Sequence, residues 1–378
     1  MCQLLKIAIW MNYPSHYQRA FFHALASRED VDLEIRYFHN IPEERLQQGW
    51  QHFQFETYEQ SVAECQDTQK QLETIQDWRE RIHITSLTFN RELVHIFCRK
   101  HILWCHWSEC LGGPLAKKLG YNLRLFYLLL PLLLFFRRTL YQPVAKHAMI
   151  AFGQGELAHR SFLKLGIPEE KIRFLFYSPA PLPQAEPNPK ITAFARGRKV
   201  FLSVGMLNKR KGMDLLLRAF AGLKTSDWCL VLCGKNLMGG KLEVLTKHLG
   251  IEDSVMFCGA ISSETIASVY KSANVNILAS RFDGWGAVLN EGASLGLALI
   301  GVDSAGASWH LISEGENGFR VPGGNVKALT KAMAEYVKNP KLCTNHGINS
   351  RKIFFEKFSP ECNAERLISS IREKICEL

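Results

Sequence analysis

Between residues 199 and 338 short apolar runs alternate with stretches of helical length, and this alternation restricts the chain more than any other feature. Val200–Val204, Trp228–Cys233, Ser254–Phe257, Val275–Leu278 and Ala298–Val302 read as buried strands. Met213–Leu223, Lys241–Leu249, Glu264–Ser272, Ala287–Leu295, Ser308–Ser313 and Val326–Val337 read as helices between and after them. Strands separated by helices need crossover connections, which make the sheet parallel and cover both its faces. The second half is therefore predicted to be a doubly wound α/β domain, with ligands at the carboxyl ends of its strands.

The first half shows the same order less cleanly. Lys6–Met11 predicts a strand, Tyr17–Ser27 a helix with Phe21, Phe22 and Leu25 inward, and Val31–Phe38 a second strand. Residues 51–80 carry no clean period and are read as a solvated helix or loop. Ile82–Leu87 is a strand, a helix follows near Arg91–Lys100, and Ile102–Cys105 is a short strand. Between Tyr177 and Pro189 five prolines occupy eleven positions, too many for a helix or central strand. The expected organisation is an N-terminal acceptor-binding domain over 1–178, a linker over 179–197 and a nucleotide-sugar-binding domain over 198–358. A C-terminal helix over 359–378 is expected to pack back on the first domain.

At 378 residues, 47% hydrophobic and 22% charged, the chain has material for two cores and no disordered character. Its eleven cysteines form no regular set and are read as reduced thiols of a cytosolic protein. The start of the chain is a poor signal peptide. The net charge of +10 is unevenly placed: residues 1–80 hold 7 basic against 13 acidic side chains, and residues 101–180 hold 10 against 4. In the basic stretch lies Leu125–Phe136, apolar throughout and containing Pro131. Twelve helical residues reach only about 18 Å, too short to cross a bilayer. One reading is an internal helix pair kinked at Pro131. The other is a membrane-surface patch, with Lys117, Lys118, Arg124, Arg137, Arg138 and Lys146 facing anionic headgroups. Nucleic acid is excluded as a partner, since no stacking aromatics interleave with these cations.

Two loops could carry chemistry. Val204-Gly-Met-Leu-Asn-Lys-Arg-Lys-Gly-Met213 delivers Lys209, Arg210 and Lys211 to a helix start, where cations oppose the macrodipole unless an anion joins them. The loop from Ala279 to Ala293 holds Asp283, Gly284, Trp285, Gly286 and Ala287, with Glu291 in the helix that follows. Its glycines permit a ligand to approach the backbone, and Asp283 and Glu291 can face one cleft to accept hydroxyl hydrogen bonds. Asp283 also reads as a turn residue or N-cap, and Glu291 as a solvated helix acid.

With these residues in place the second half resembles the C-terminal domain of glycosyltransferase family 4, retaining enzymes of GT-B fold that use nucleotide sugars. The resemblance runs from Gly205 and Lys211-Gly212 through Asp214-Leu-Leu-Leu-Arg-Ala-Phe220, Leu232-Cys-Gly234 and Val255-Met-Phe-Cys-Gly259. It continues in Ser280-Arg-Phe-Asp283, Glu291-Gly-Ala-Ser-Leu-Gly296, Gly306 and Glu316-Asn-Gly-Phe-Arg-Val-Pro322. The resemblance implies two Rossmann-like domains facing a central cleft. It implies that Lys211 binds the donor diphosphate, that Glu291 holds the ribose hydroxyls, and that Asp283 contacts the hexose where the family usually has glutamate. The amides of Trp285–Ala287 would serve hexose and phosphate, and Gly234, Phe257, Gly259 and Ile261 match the nucleobase segments. Met206 replaces the family's usual arginine, which leaves Arg210 as the second cation.

In the first half the family's glycine pair is replaced by Asn12-Tyr-Pro-Ser-His-Tyr-Gln18. His106, expected in the loop after a strand, corresponds to a family active-site histidine; Glu109 and His16 are weaker candidates. No metal or other cofactor is expected, and Asp30-Val-Asp32 is read as a solvated turn. The expected activity moves a hexose from a UDP-sugar to a polysaccharide, lipopolysaccharide or lipid-linked acceptor, in the cytoplasm or on the inner face of the membrane. The acceptor hydroxyl would be deprotonated by the leaving phosphate in a front-face, retaining transfer. Alternatives are a nucleotide-sugar epimerase of the same layout and a catalytically inactive partner of GT-B fold. A dehydrogenase is disfavoured because no Gly-x-Gly-x-x-Gly follows a first strand.

Overall fold

The structure is a computed structural model that describes residues 4–46, 52 and 54–377. It divides into two compact units, one made of Met1–Leu111, Pro131–Ala180 and Pro360–Leu378, the other of Gly112–Leu130 and Pro181–Ser359.

Among the described residues the first unit holds a seven-stranded parallel sheet. Its strands are β1 (Leu5–Met11), β2 (Val31–Tyr37), β3 (Glu59–Ser61), β4 (Ile82–Thr85), β5 (Trp104–Ser108), β6 (Ala151–Gly153) and β7 (Ile172–Phe174), in the order β3-β2-β1-β4-β5-β6-β7. In the core, Ile7, Ile9, Ile35 and Ile84 of the sheet meet Phe21, Phe22 and Leu25 from the helix His16–Ala26. The helix Pro360–Cys376 closes that face with Ala364, Leu367, Ile368 and Ile371. Its Asn363 donates to Phe176 O and accepts from Phe176 N–H, at 2.7 and 3.0 Å, so the sheet's last segment and the final helix are joined by polar bonds as well as packing.

Several first-half expectations change. Residues 59–80 are ordered, with β3 at the sheet edge and a helix Thr68–Glu73 capped by Asp67; residues 51 and 53 lie outside the described residues. β5 starts two residues later than expected and runs through Ser108. Asp30 and Asp32 are held in ion pairs: Asp30 with Arg28 at 2.9 Å and Arg372 at 2.8 Å, Asp32 with Arg81 at 2.8 Å. They fasten the entry to β2, where a solvated turn was expected. The stretch around Pro131 is one helix, Leu123–Arg137, in place of a kinked internal pair. Phe126 and Leu134 are buried, whereas Leu128 and Phe136 are 72% and 71% exposed. Among the described residues no helix is long and apolar enough to cross a membrane.

The second unit holds a six-stranded parallel sheet of β8 (Lys199–Val204), β9 (Trp228–Cys233), β10 (Val255–Gly259), β11 (Val275–Leu278), β12 (Ala298–Val302) and β13 (Gly318–Val321), ordered β10-β9-β8-β11-β12-β13. The expected fold class is present: both sheets are parallel and doubly wound. β13 and the helix Lys341–Ile353 were not foreseen. The proline-rich stretch ends in a helix, Pro189–Ala195. Pro189 sits at its first turn, where a missing N–H costs nothing, and Asn188 Oδ1 accepts from Lys190 and Ile191 N–H.

The strand order reverses between β8 and β11. The crevice beyond their carboxyl ends is where such sheets bind ligands, and the two chemistry-bearing loops of the sequence follow these two strands.

Candidate active site

The loop after β8 is shaped by backbone contact. Gly205 N–H donates to Cys233 O at 2.9 Å and Leu207 N–H to Lys235 O at 3.0 Å, which lays this loop along the one after β9. Gly234 has φ +144°, and a Cβ there would run into Gly205 O, so only glycine allows the approach. Gly212 is the same case against Ala279 O, at φ +71°. Asn208 Oδ1 accepts Lys211 N–H at 2.9 Å and turns the chain into the helix Met213–Ala221.

Lys211 Nζ then reaches Asp283 Oδ2 at 2.6 Å. Arg210 Nη1 stands 3.5 Å from the same oxygen and also donates to Phe282 O at 3.2 Å. Ser280 Oγ donates to Asp283 Oδ2 at 3.2 Å. Burial favours the neutral acid at Asp283, but the Lys211 and Arg210 charges outweigh it and hold the carboxyl below the usual carboxylate range. Asp283 N–H donates to Ser304 O at 3.0 Å, so the loop's backbone is fixed beside its side chain.

Arg281, which the sequence did not single out, ties the two loops together. Its guanidinium grips Asp214 bidentately, both bonds at 2.7 Å, and Nη1 donates to Lys209 O at 2.8 Å. Its backbone N–H donates to Arg210 O at 2.7 Å. The cation-bearing segment is thus clamped at two consecutive carbonyls.

Glu291 lies in the helix Val288–Ser294 and is half-buried, which corrects the solvated alternative. Tyr270, on the helix Ile266–Lys271, donates its hydroxyl to Glu291 Oε2 at 2.6 Å. Burial pushes the Glu291 carboxyl up to about 7, against the opposing pull of the Tyr270 hydrogen bond and the Lys211 charge. One site thus holds a firmly ionised carboxylate and another poised near neutrality.

The Trp285 side chain is buried, with Nε1 donating to Asn290 Oδ1 at 2.8 Å and the ring stacked near His310. It anchors the loop from below, while Gly284, Gly286 and Ala287 carry the backbone past Asp283 into the helix. Gly234 N–H donates to Gly259 O at 2.7 Å. A register shift between Phe257 and Gly259 bulges β10 beside it, and Phe257 and Ile261 are both half-buried there. These four residues therefore gather around the ends of β9 and β10, next to Gly205.

His106 is a correction. Because β5 extends to Ser108, the histidine lies inside the strand and is wholly buried. Leu87 N–H donates to its Nδ1 at 3.3 Å and its Nε2 lies 3.1 Å from Ser108 Oγ. Burial lowers its pKa to about 3, which keeps the ring neutral. Both nitrogens are engaged by neighbours within the first unit, and the expected loop position is replaced by one inside β5. Glu109 is exposed just past the strand, and His16 opens the helix His16–Ala26 with its ring against Tyr17.

The chain's second half, residues 184–353, matches the family model of glycosyl transferases group 1. That half of the chain carries the domain of this family. The match contains both chemistry-bearing loops, Tyr270 and the Arg281 clamp. Among curated group 1 relatives, an uncharacterised glycosyltransferase of Haemophilus influenzae is 31% identical over 172 residues, 44% of this chain and 48% of its own. The lipopolysaccharide core biosynthesis mannosyltransferase LpcC of Rhizobium leguminosarum is 29% identical over 178 residues, 45% of this chain and 50% of its own. The chain thus spans about half the length of the curated relatives it matches. Among solved structures, that of Anabaena Alr3699/HepE in complex with UDP superposes with a TM-score of 0.72 at 14% identity, covering 98% of this chain and all of the other. That likeness, and a similar one to the lipopolysaccharide outer core galactosyltransferase WaaB (TM-score 0.69, 15% identity, 98% of this chain and all of that one), shows that the chain has the GT-B fold.

Proposed function

We propose that this chain is a retaining glycosyltransferase that moves a hexose from a nucleoside-diphosphate sugar, with UDP as the nucleotide, to a lipopolysaccharide or lipid-linked acceptor. The observation that carries the reading is the convergence of Lys211 and Arg210 on Asp283 at the topological switch point, with Glu291 held by Tyr270 in the helix that follows.

The chemistry follows from charge. In a retaining transfer the anomeric carbon becomes oxocarbenium-like as the diphosphate departs, and the largest new charge falls on the leaving oxygens. Lys211 and Arg210 take up that charge by turning from Asp283 to the phosphate, while the Arg281 clamp holds the backbone that carries them. Asp283 accepts hydrogen bonds from hexose hydroxyls, and Glu291 accepts them from the ribose. Gly234, Phe257, Gly259 and Ile261 border the nucleobase. The acceptor hydroxyl passes its proton to the departing phosphate, which leaves no role for the buried His106.

Relatives support the acceptor class, and their names and structures involve two nucleotides, UDP and GDP. LpcC is named for lipopolysaccharide core biosynthesis, and a Campylobacter jejuni relative, 31% identical over 147 residues, is named for transfer to a diphospho-undecaprenol glycan. HepE is seen with UDP, whereas a Mycolicibacterium smegmatis relative at 26% identity is named as GDP-mannose-dependent. A thermal-shift panel of UDP, GDP, ADP and their sugars on wild type and Lys211→Ala tests the reading. A ligand at a hundred times its dissociation constant adds about 2.7 kcal/mol of stability, and Lys211→Ala should weaken donor binding by about 1.5–3 kcal/mol. A stabilisation by one nucleoside diphosphate that Lys211→Ala cuts from about 2.7 to roughly 0.3–1.3 kcal/mol is expected. No shift with any nucleotide would overturn the donor site and favour an inactive partner of the same fold.

A further inference from the structure

Between Glu109 and Glu156 the sequence has no acidic residue, yet Lys117, Lys118, Arg124, Arg137, Arg138 and Lys146 all fall there. The part of this stretch inside the first unit, from Pro131 onward, builds a surface with two properties at once. Leu132, Phe135 and Phe136, in the last turns of the helix Leu123–Arg137, are 53%, 64% and 71% exposed. Beside them opens a groove of about 530 Å³, bordered by Phe135, Phe136, Arg138, Thr139, Lys146 and Leu165, with no carboxylate in its lining.

The cations of this face are unspent. Arg137, Arg138 and Lys146 form no ion pair among the described residues. The Arg138 guanidinium lies over Gly166, where a Cβ would collide with it, so the charge is kept at the groove wall. Two adjacent phenylalanines left in water are unfavourable unless something covers them, and the cover must also be anionic. A bilayer surface supplies both in the right order, with phosphates outermost and acyl chains beneath. The long basic side chains can bury their stems and keep their heads at phosphate depth.

We propose that this face of the first unit docks on an anionic phospholipid bilayer, with a headgroup phosphate held between Arg138 and Lys146 and with Leu132, Phe135 and Phe136 set among the acyl chains. The proposal stands apart from the transferase reading, since it invokes no residue of the donor site.

Co-sedimentation of the full chain with vesicles tests it, using phosphatidylcholine alone and phosphatidylcholine with phosphatidylglycerol in equal parts. Binding to the mixed vesicles, weakened by added salt, and little to phosphatidylcholine is expected. Arg138→Gln with Lys146→Gln should cost roughly fivefold in partition per charge removed. Phe135→Ser with Phe136→Ser should cost about tenfold or more, and both pairs should keep the wild-type unfolding midpoint because the side chains are exposed. Failure of the wild type to bind mixed vesicles, equal binding to both vesicle types, or variants that bind as wild type would each overturn it. So would size-exclusion chromatography showing a dimer that the phenylalanine pair dissolves without any vesicle binding, which would mean that a second copy covers the face.

Discussion

Replacing Glu291 by glutamine should change how stability depends on pH, and the environment of the carboxyl sets the size of the change. When folded the group ionises at about 7, because burial opposes its charge; in the unfolded chain it returns to 4.5. A carboxyl with a raised folded pKa binds its proton more tightly in the folded state. Its contribution is therefore full below 4.5, declines as pH rises, and is gone above about 7. At about 1.4 kcal/mol per pH unit the whole difference is about 3 kcal/mol, of which about 2 kcal/mol falls between pH 5.5 and 8.5. Urea unfolding of wild type and Glu291→Gln across that interval should show the wild type losing about 2 kcal/mol more than the variant. On the proposed reading ribose hydroxyls donate to Glu291 and favour its ionised form, so nucleotide binding near pH 6 should release a proton in the wild type and none in the variant. Calorimetry in buffers of different ionisation enthalpy measures that release. Parallel stability profiles for the two proteins would refute the assignment of a near-neutral carboxyl here.

Asp283→Ala should separate nucleotide from nucleotide sugar. Lys211 loses its 2.6 Å partner and becomes free for phosphate, so the bare diphosphate should bind several-fold tighter while the sugar nucleotide loses about 1–3 kcal/mol; calorimetric affinities for both ligands decide, and equal effects would remove the hexose role. Arg281→Ala breaks the bidentate grip on Asp214 and should raise the donor KM more than it lowers kcat, with a stability loss of about 2–3 kcal/mol. Arg281→Lys should restore only part of that, because one ammonium cannot reproduce the fork, and steady-state kinetics with unchanged KM in both variants would leave the clamp without a positioning role.

The strands from β8 to β12 were readable because each is an unbroken apolar run between helix-length segments, a pattern that parallel sheets impose. β5 was misplaced by two residues because Trp104–Ser108 mixes Trp, Cys, His and Ser, with no period to mark its end, and that slip moved His106 from the core to a supposed loop. The helix Leu123–Arg137 shows a different limit. Its residues are apolar on every side, so composition could not say which faces would remain uncovered. At the site, Lys211, Asp283 and Glu291 were visible as polar residues at strand ends and helix starts. Arg281 was not, since its partner Asp214 lies 67 positions earlier and nothing local marks the pair. Tyr270 was hidden in the same way, as one more apolar residue of a helix whose hydroxyl happens to reach Glu291.

The helix Pro360–Cys376 supplies four buried side chains to a core whose other members come from before residue 176. Domains commonly fold in the order in which the ribosome releases them, and here that order is reversed. The second unit is complete once Ser359 has emerged, while the first, though synthesised earlier, still has an open hydrophobic face. Ile9, Phe21 and their neighbours must wait through the synthesis of nearly two hundred further residues for their cover. A nascent chain stalled after Ser359 should hold a folded second unit and a sticky, protease-sensitive first one, and for that interval the first unit depends on whatever the cell provides to shield it.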